Sequence, residues 1–521
     1  MTRRARRVIA ALAALAALAA VGHSGAAADA PPGWSDAAPP VEQAAERPNI
    51  VVLYTDDQTV AQMRAMPATT EWFAANGVRF TNNMTTFPLC CPSRATFLTG
   101  QYTHNHGVNA NFAASGGGYR TFADQAGARS LAVALDQAGY HTGWVGKYLN
   151  EYGDDGAGNP ATEIAPGWDD FRPAVGAWSA DYWRTRINDN GRVRDLAGTY
   201  STDAYAEIAG DMISDASAQP DPFFLVVSFF GPHTGTRVTA TAGGTSVEEL
   251  SVAEYAPRHA RLYPNAVAPR TRAFNEPRTA DKPALIQRFY GEPLTASEVA
   301  GIDARWRTEL RAVAAVDEAV TSIREDLAAA GELDNTVIIF TSDNGFMHGE
   351  HRVPSLKYVP YRQSREVPLY IAAPDARRGA TYNGITANID LAPTILDYAQ
   401  AAPLAPVDGM SLRPAVTAGT RPAGHGRPVL LYGGMAGARV RPAGYLGIRW
   451  GRWVMWTWRA AGYPTELYDL RVDPNENRNV AADPANAAVI ASLAAMRDRL
   501  AYCAGPTCRP APAAWPGGAS R

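Results

Sequence analysis

The sequence predicts an α/β fold: a large, mainly parallel (mixed) sheet sandwiched by helices, with a smaller C-terminal α+β subdomain carrying an antiparallel sheet. Three observations lead there. Strand-like apolar runs alternate with helical patterns from about Arg47 onward, and that alternation builds parallel sheets. The runs are continuous rather than period-two, as in "FFLVVSFF", so each strand expects cover on both faces. Beyond about Pro403 the texture changes to paired β-rich runs and one helix.

Taken in order, residues 1–30 stand apart. The basic "MTRRARR", the apolar "VIAALAALAALAAV" and the small-residue "GAAADA" have the layout of a secretory signal peptide. The apolar run is too short for a stable membrane span. Two Arg-Arg pairs leave Sec and twin-arginine export both open. No second apolar run is long enough to cross a bilayer, so the expected product is secreted or periplasmic/extracellular, with no membrane span. A flexible N-terminal segment, 31–46, leads into the main domain, 47–402.

The strands of that domain read "NIVVLYTDD", "GYHTGWVGKY", "DPFFLVVSFFGPH", "NTVIIFTSDNG" and "EVPLYIAAP". Helical periodicity runs through "ARSLAVALDQAG" and "LRAVAAVDEAVTSIREDLAAAGEL". Between Gly153 and Pro283 the chain is richer in Gly, Pro, Thr and Asp, with one clear strand. Within it "TGTRVTATAGGTSVEEL" reads as a loop over the pocket. The C-terminal subdomain, 403–505, has "GYLGIRWGRWVMWTW" and "TELYDLRVD" as paired strands and "AAVIASLAAMRDRLA" as a helix; 506–521 is a tail.

In parallel sheets the ligand lies beyond the carboxyl ends of the strands. Four strands here end at Asp56-Asp57, Lys147, His233 and Asp343-Asn344. Each ending has an ordinary alternative, since paired acids cap turns and Asn-Gly favours them. Together, Asp56, Asp57, Asp343 and Asn344 offer hard oxygen donors for Ca²⁺ or Mg²⁺. No His/Cys cluster has zinc spacing. The formal net charge of −3 argues against a nucleic-acid surface.

Of the four cysteines, Cys503 and Cys508 can close a small disulfide loop. Cys90 and Cys91 sit side by side in "TTFPLCCPSRATFLTG", where a bridge between neighbours would strain the backbone. The stretch begins an apolar-periodic run and so opens a helix, whose N–H groups attract anions. A nucleophile at Cys90 would face such an anion, with Arg94 one turn on to brace it. Small buried hydrophobes and a vicinal redox pair stay open as alternatives.

"CCPSRATFLTG" resembles the sulfatase signature, in which Cys-x-Pro-Ser-Arg is followed by Leu-Thr-Gly. "NIVVLYTDDQ", "TSDNG", "DLAPTILD", "DGMSLRP" and "ELYDLRVDPNENRN" are similar to further segments of that family. "TDDQ", "LCCPSRA", "NHGV" and "GKYLNEY" look closest to its N-acetylglucosamine-6-sulfatase and arylsulfatase branch. The resemblance implies an alkaline-phosphatase-like fold, with 47–402 as catalytic domain.

It also implies a chemistry. A formylglycine-generating enzyme would oxidise Cys90 to Cα-formylglycine, with Cys91 filling the variable position. The hydrated aldehyde would attack the sulfur of a sulfate ester. Asp56, Asp57, Asp343, Asn344 and modified residue 90 would hold the cation, Ca²⁺ before Mg²⁺. Arg94 would hold the hydrated aldehyde, Lys147 and Lys357 the sulfate, and His233 would be the general acid. The second hydroxyl would then expel sulfate.

One departure stands out. Where many members have Lys-x-His, this chain reads Lys147-Tyr148-Leu149, so the base for sulfate release must come from elsewhere, with His104, His106, His348 and His351 as candidates. The expected substrate is a sulfated small molecule or glycan, N-acetylglucosamine 6-sulfate or an aryl sulfate among them. A phosphodiester or phosphonate-ester hydrolase and an inactive carbohydrate-binding protein are the competing readings.

Overall fold

Eight strands form the central sheet: β1 (Asn49–Asp56), β2 (Gly77–Phe80), β3 (His141–Gly146), β4 (Asp170–Pro173), β5 (Phe223–Pro232), β6 (Thr336–Ser342), β7 (Leu369–Ala372) and β8 (Ala380–Tyr382). The structure, a computed structural model, describes residues 47–241, 244–418, 426–433, 444–459 and 463–510. The expected signal peptide, the 31–46 segment and most of the tail lie outside the described residues.

The sheet order is β8-β2-β7-β6-β1-β5-β3-β4. Parallel pairing links β6 to β1, β1 to β5, β5 to β3 and β3 to β4, while β7 runs antiparallel to both β6 and β2. The sheet is therefore mixed and mostly parallel. Along β1 every residue is buried. Ile50, Val52 and Tyr54 pack into one helical layer, and Val51 and Leu53 into the other. That two-sided burial is why these strands read as unbroken apolar runs.

The first layer contains α1 (Cys90–Thr99), and the second contains α2 (Ser201–Ser217) and α3 (Ala296–Ala329); α4 (Leu391–Ala399) joins the first. A capping box starts α3: Thr295 Oγ1 accepts the Glu298 N–H at 3.2 Å, and Glu298 Oε2 accepts the Thr295 N–H at 2.7 Å.

Two expectations need correction. "TGTRVTATAGGTSVEEL" is not a loop but an antiparallel hairpin of Thr236–Thr241 and Gly244–Glu249. Its Thr/Val-rich halves favour strands on either side of a Gly-Gly break. The same Gly153–Pro283 region also holds the 17-residue α2. Tyr205, Ile208, Ala209, Met212 and Ile213 repeat at helical spacing against the sheet; the stretch's overall polarity hid them.

The C-terminal sheet is antiparallel, β9 (Val429–Gly433), β10 (Tyr445–Trp450), β11 (Trp453–Trp458) and β12 (Glu466–Asp469) in that order, with α5 (Ala487–Leu500) against it. Its core also takes in Met84, Phe87, Leu89 and Tyr102 from around α1. The buried Arg365–Glu476 pair at 2.5 Å ties it to the segment ahead of β7. Cys503 and Cys508 are bonded in the structure, with Cα atoms 5.0 Å apart.

Candidate active site

The four strand ends singled out by their polar residues belong to β6, β1, β5 and β3, which are consecutive in the sheet and parallel. Their carboxyl ends therefore open on one edge. Asp343 and Asn344 follow β6, Asp57 follows the terminal Asp56 of β1, His233 follows β5 and Lys147 follows β3. The Asp343 N–H donates to Thr55 O at 3.1 Å, locking the β6 turn onto β1. Asp57 itself has a left-handed φ of 65°, which turns the chain sharply after β1.

Helix α1 brings Cys90 to this edge from above. Cys90 Sγ lies 3.7 Å from Asp56 Oδ1 and 2.8 Å from Lys357 Nζ. Lys357 comes from the long connection between β6 and β7. It is placed by its neighbour Tyr358, whose N–H donates to Pro88 O at 2.7 Å. The Lys357 ammonium also donates to Asp57 Oδ1 at 2.6 Å, and Lys147 Nζ donates to Asp56 Oδ2.

Arg94, fully buried one turn along α1, fixes the acids. Its Nε donates to Asp343 Oδ2 at 2.8 Å and its Nη2 to Asp56 Oδ2 at 3.3 Å, while Nη1 reaches Ser228 Oγ at 2.8 Å. His233 donates from Nδ1 to Thr234 O at 2.7 Å, leaving Nε2 3.6 Å from Asp57 Oδ2. Asp56, Asp57, Asp343, Arg94, Lys147 and Lys357 thus balance three negative charges with three positive ones.

The electrostatics follow from burial and these neighbours. Burial alone would raise the Asp56 carboxyl, but Lys147, His233 and Arg94 outweigh it and hold it well below the carboxylate range. Burial and the Asp56 charge push Asp343 the other way, upward. Burial would lower Lys357, yet Asp57 holds it well above the lysine range. Burial, then the Asp56 charge, push the Cys90 thiol up to about 12. An unmodified Cys90 is therefore a poor nucleophile at neutral pH.

Ligand atoms of Asp56, Asp57, Cys90 and His233 lie within 4.8 Å of one another, a group able to hold a metal ion. Asn344 Oδ1 is buried with no hydrogen-bond partner, as a carboxamide oxygen awaiting a cation would be. Asp343 is turned away from that group: Oδ2 takes Arg94, and Oδ1 accepts the N–H groups of Asp57 at 3.2 Å and Asn344 at 2.8 Å. The oxygen-rich set fits a hard divalent cation.

The four substitute histidines do not gather here. His104 bonds Tyr432 and Cys503 O, His106 bonds Thr96, His348 bonds Glu309 at 2.7 Å, and His351 bonds Glu276 at 3.0 Å. Among the described residues, His233 is the imidazole at the site. Conversely, Ser93, Ser228 and Asn388 escaped the sequence reading. Ser228 did carry a signal, as the lone hydroxyl within "FFLVVSFF"; Asn388 carried none.

Comparison with known proteins now adds a name to the geometry. The model of the family "Sulfatase" matches residues 48–401. The chain belongs to the sulfatase family. Residues 349–502 of this sulfatase also match "N-sulphoglucosamine sulphohydrolase, C-terminal". It is 32% identical over 376 residues to human N-acetylglucosamine-6-sulfatase, covering 71% of this chain and 64% of that one. It is 30% identical over 516 residues to an arylsulfatase of Volvox carteri, covering 89% and 76%. Against an extracellular sulfatase homologue of Caenorhabditis elegans it is 30% identical over 70% of its own length, and spans 48% of that protein. A structure solved with its substrate D-glucosamine-2-N,6-O-disulfate superposes with a TM-score of 0.70 at 24% identity, covering 87% of this chain and 97% of that one.

Proposed function

We propose that the chain hydrolyses sulfate esters, with residue 90 as the nucleophile after maturation of Cys90 to Cα-formylglycine by a formylglycine-generating enzyme. The observation that carries this is the setting of Cys90. It opens α1 beside Asp56 and Lys357, where four parallel strands deliver their charged ends. Formylglycine would supply a hydroxyl nucleophile and, once the alcohol has left, a second hydroxyl whose deprotonation frees sulfate without an attacking water. A divalent cation, Ca²⁺ ahead of Mg²⁺, would be held by Asp56, Asp57 and Asn344, with Asp343 and residue 90 beside them, and would neutralise sulfate charge.

The remaining roles belong to the chain's own side chains. Arg94 keeps Asp56 and Asp343 in place and braces residue 90. Lys147 and Lys357 bind sulfate oxygens as preorganised cations in a buried site. His233, with Nδ1–H committed to Thr234 O, gives or takes a proton at Nε2, serving the departing alcohol.

The names of the relatives and the substrate of the superposed structure support a sulfated amino sugar or an aryl sulfate as substrate. Residues 47–402 form the catalytic domain and 403–505 a subdomain that braces it. Export after removal of residues 1–30 is supported by the signal-like layout and by the extracellular name of one relative.

The test is mass spectrometry of the tryptic peptide 80–94 from protein made in its native host, followed by turnover of p-nitrophenyl sulfate and p-nitrophenyl phosphate. Formylglycine at position 90 with preferred turnover of the sulfate is the expected result. Unmodified cysteine there would sink the mechanism, and preferred turnover of the phosphate would favour the phosphoester reading.

A further inference from the structure

Segment 107–118, "GVNANFAASGGG", carries no charged residue and is tightly built. The Asn109 N–H donates to Gly116 O at 2.8 Å, those of Ser115 and Gly117 to Phe112 O at 2.9 and 3.0 Å, and that of Gly118 to Ala110 O at 3.3 Å. Glu151, from the loop after Lys147, accepts the Ala113 N–H at 2.7 Å. A Cβ on Gly117 would lie 1.7 Å from Ala110 O, so only glycine lets the segment close on itself.

Asn111 and Phe112 stand within this fold-back. Asn111 Oδ1 accepts the Cys91 N–H at 3.0 Å. Its Nδ2 has no hydrogen-bond partner among the described residues. By standard bond lengths that amide nitrogen lies within about 9 Å of the Cys90 Cβ, the reach of the alcohol half of an ester whose sulfur sits at residue 90. Phe112, the next residue, is 50% exposed. A lone exposed phenylalanine is unremarkable on a surface; Phe112 stands on a pinned, uncharged turn whose neighbour Asn111 bonds the first turn of the helix that carries Cys90.

Resting on the sulfate-ester reading above, we infer that Asn111 and Phe112 form the subsite for the alcohol half, and that it takes a hydroxylated six-membered ring. Phe112 packs against the ring face, and Asn111 Nδ2 donates to a ring oxygen or hydroxyl. The cations around Cys90 hold the sulfate, and this neutral rim reads what the sulfate is attached to.

The test uses the full chain carrying Cys90→Ala, which has no nucleophile to react, with calorimetric Kd values for N-acetylglucosamine 6-sulfate and for propyl sulfate, which has no ring. Phe112→Ala is expected to weaken the sugar sulfate about five- to tenfold and leave propyl sulfate within about twofold, with Phe112→Tyr restoring the difference. Asn111→Asp keeps the acceptor for Cys91 N–H and removes the donor. It is expected to cost the sugar sulfate about fivefold more than propyl sulfate. Equal losses for both ligands, no loss from Phe112→Ala, or no binding of the sugar sulfate overturns the inference. Turnover of p-nitrophenyl sulfate by the matured wild-type protein tests the sulfatase reading separately, so either can fail alone.

Discussion

Asn388 donates its carboxamide to the Ser93 hydroxyl at 2.9 Å, joining positions 295 apart in sequence. Ser93 in turn donates to Asp343 O at 2.5 Å, and Asn388 Oδ1 accepts the Thr86 N–H at 3.0 Å. One buried side chain thus sets α1 against the β6 turn. Asn388→Ala strands the Thr86 N–H and loosens that junction. It is expected to lower the unfolding free energy by about 1–3 kcal/mol in urea titrations. With α1 displaced, kcat/KM on a sulfate ester should fall about ten- to a hundredfold. Unchanged stability would remove Asn388 from the argument.

The two adjacent cysteines should separate cleanly. If residue 90 acts as the proposed formylglycine, Cys90→Ser escapes maturation, and its serine lacks the second hydroxyl that would free sulfate. It should release at most about one alcohol per protein and then stop, seen as a stoichiometric burst. Cys91, buried and with its thiol pushed up to about 12 by burial, is a packing residue. Cys91→Ala should keep turnover within about threefold and cost roughly 1 kcal/mol of stability. Loss of formylglycine in Cys91→Ala would contradict that assignment.

Removal of the proposed cation should be reversible and selective. Dialysis against a chelator is expected to abolish turnover, and Ca²⁺ should restore it at lower concentration than Mg²⁺. Asn344→Ala deletes the unpartnered Oδ1 and should raise the Ca²⁺ needed for half-activity about tenfold or more. Full turnover after exhaustive chelation would exclude the cation.

Acid stability has an identifiable weak point in His106. Its Nδ1 accepts the Val108 N–H at 3.1 Å, so Nε2 carries the proton toward Thr96. A second proton has nowhere to go, and burial, with the nearby His104, lowers the folded-state pKa from 6.5 to about 3. The unfolded chain takes that proton near its ordinary value while the folded one resists. Stability is therefore intact above about 6.5 and lost as pH falls toward about 3, by at most about 1.4 kcal/mol per pH unit. His106→Gln should flatten the stability curve across that window; an unaltered slope would acquit His106.

Near the C-terminus, Cys503 O accepts His104 Nε2 at 2.8 Å and Asn105 Nδ2 at 2.9 Å, and the Gly505 N–H reaches Asp408 Oδ1 at 2.7 Å. The Cys503–Cys508 bond closes a loop of sequence separation 5 on these partners. Replacing both cysteines by serine should cost roughly 2 kcal/mol, small because the loop is short. The loss should appear in thermal unfolding, with the wild type in reductant shifting equally. A larger shift in reductant than in the double variant would point to a second disulfide.

What the sequence determined by itself was whatever local pattern encodes. Continuous runs of β-branched and aromatic residues declared buried parallel strands, and their charged endings marked the edge of the candidate site, because a strand's direction fixes which end a ligand would face. "CCPSR" tied Cys90 and Arg94 to one helix start. The hairpin at Thr236–Glu249 and helix α2 were harder to read, because their turn-rich, polar composition masked the short periodic runs within. The histidines show the other limit: His233 was marked by its strand end, whereas nothing local separated His104, His106, His348 and His351 as candidates for the missing base, and only packing sent them to Tyr432, Thr96, Glu309 and Glu276. Tertiary structure alone decided that β6, β1, β5 and β3 are neighbours, that Asn388 meets Ser93, and that Asn111 meets Cys91. Those are pairings between distant segments. They depend on sheet order and on the burial of polar groups that must find partners in space, and no local pattern records either.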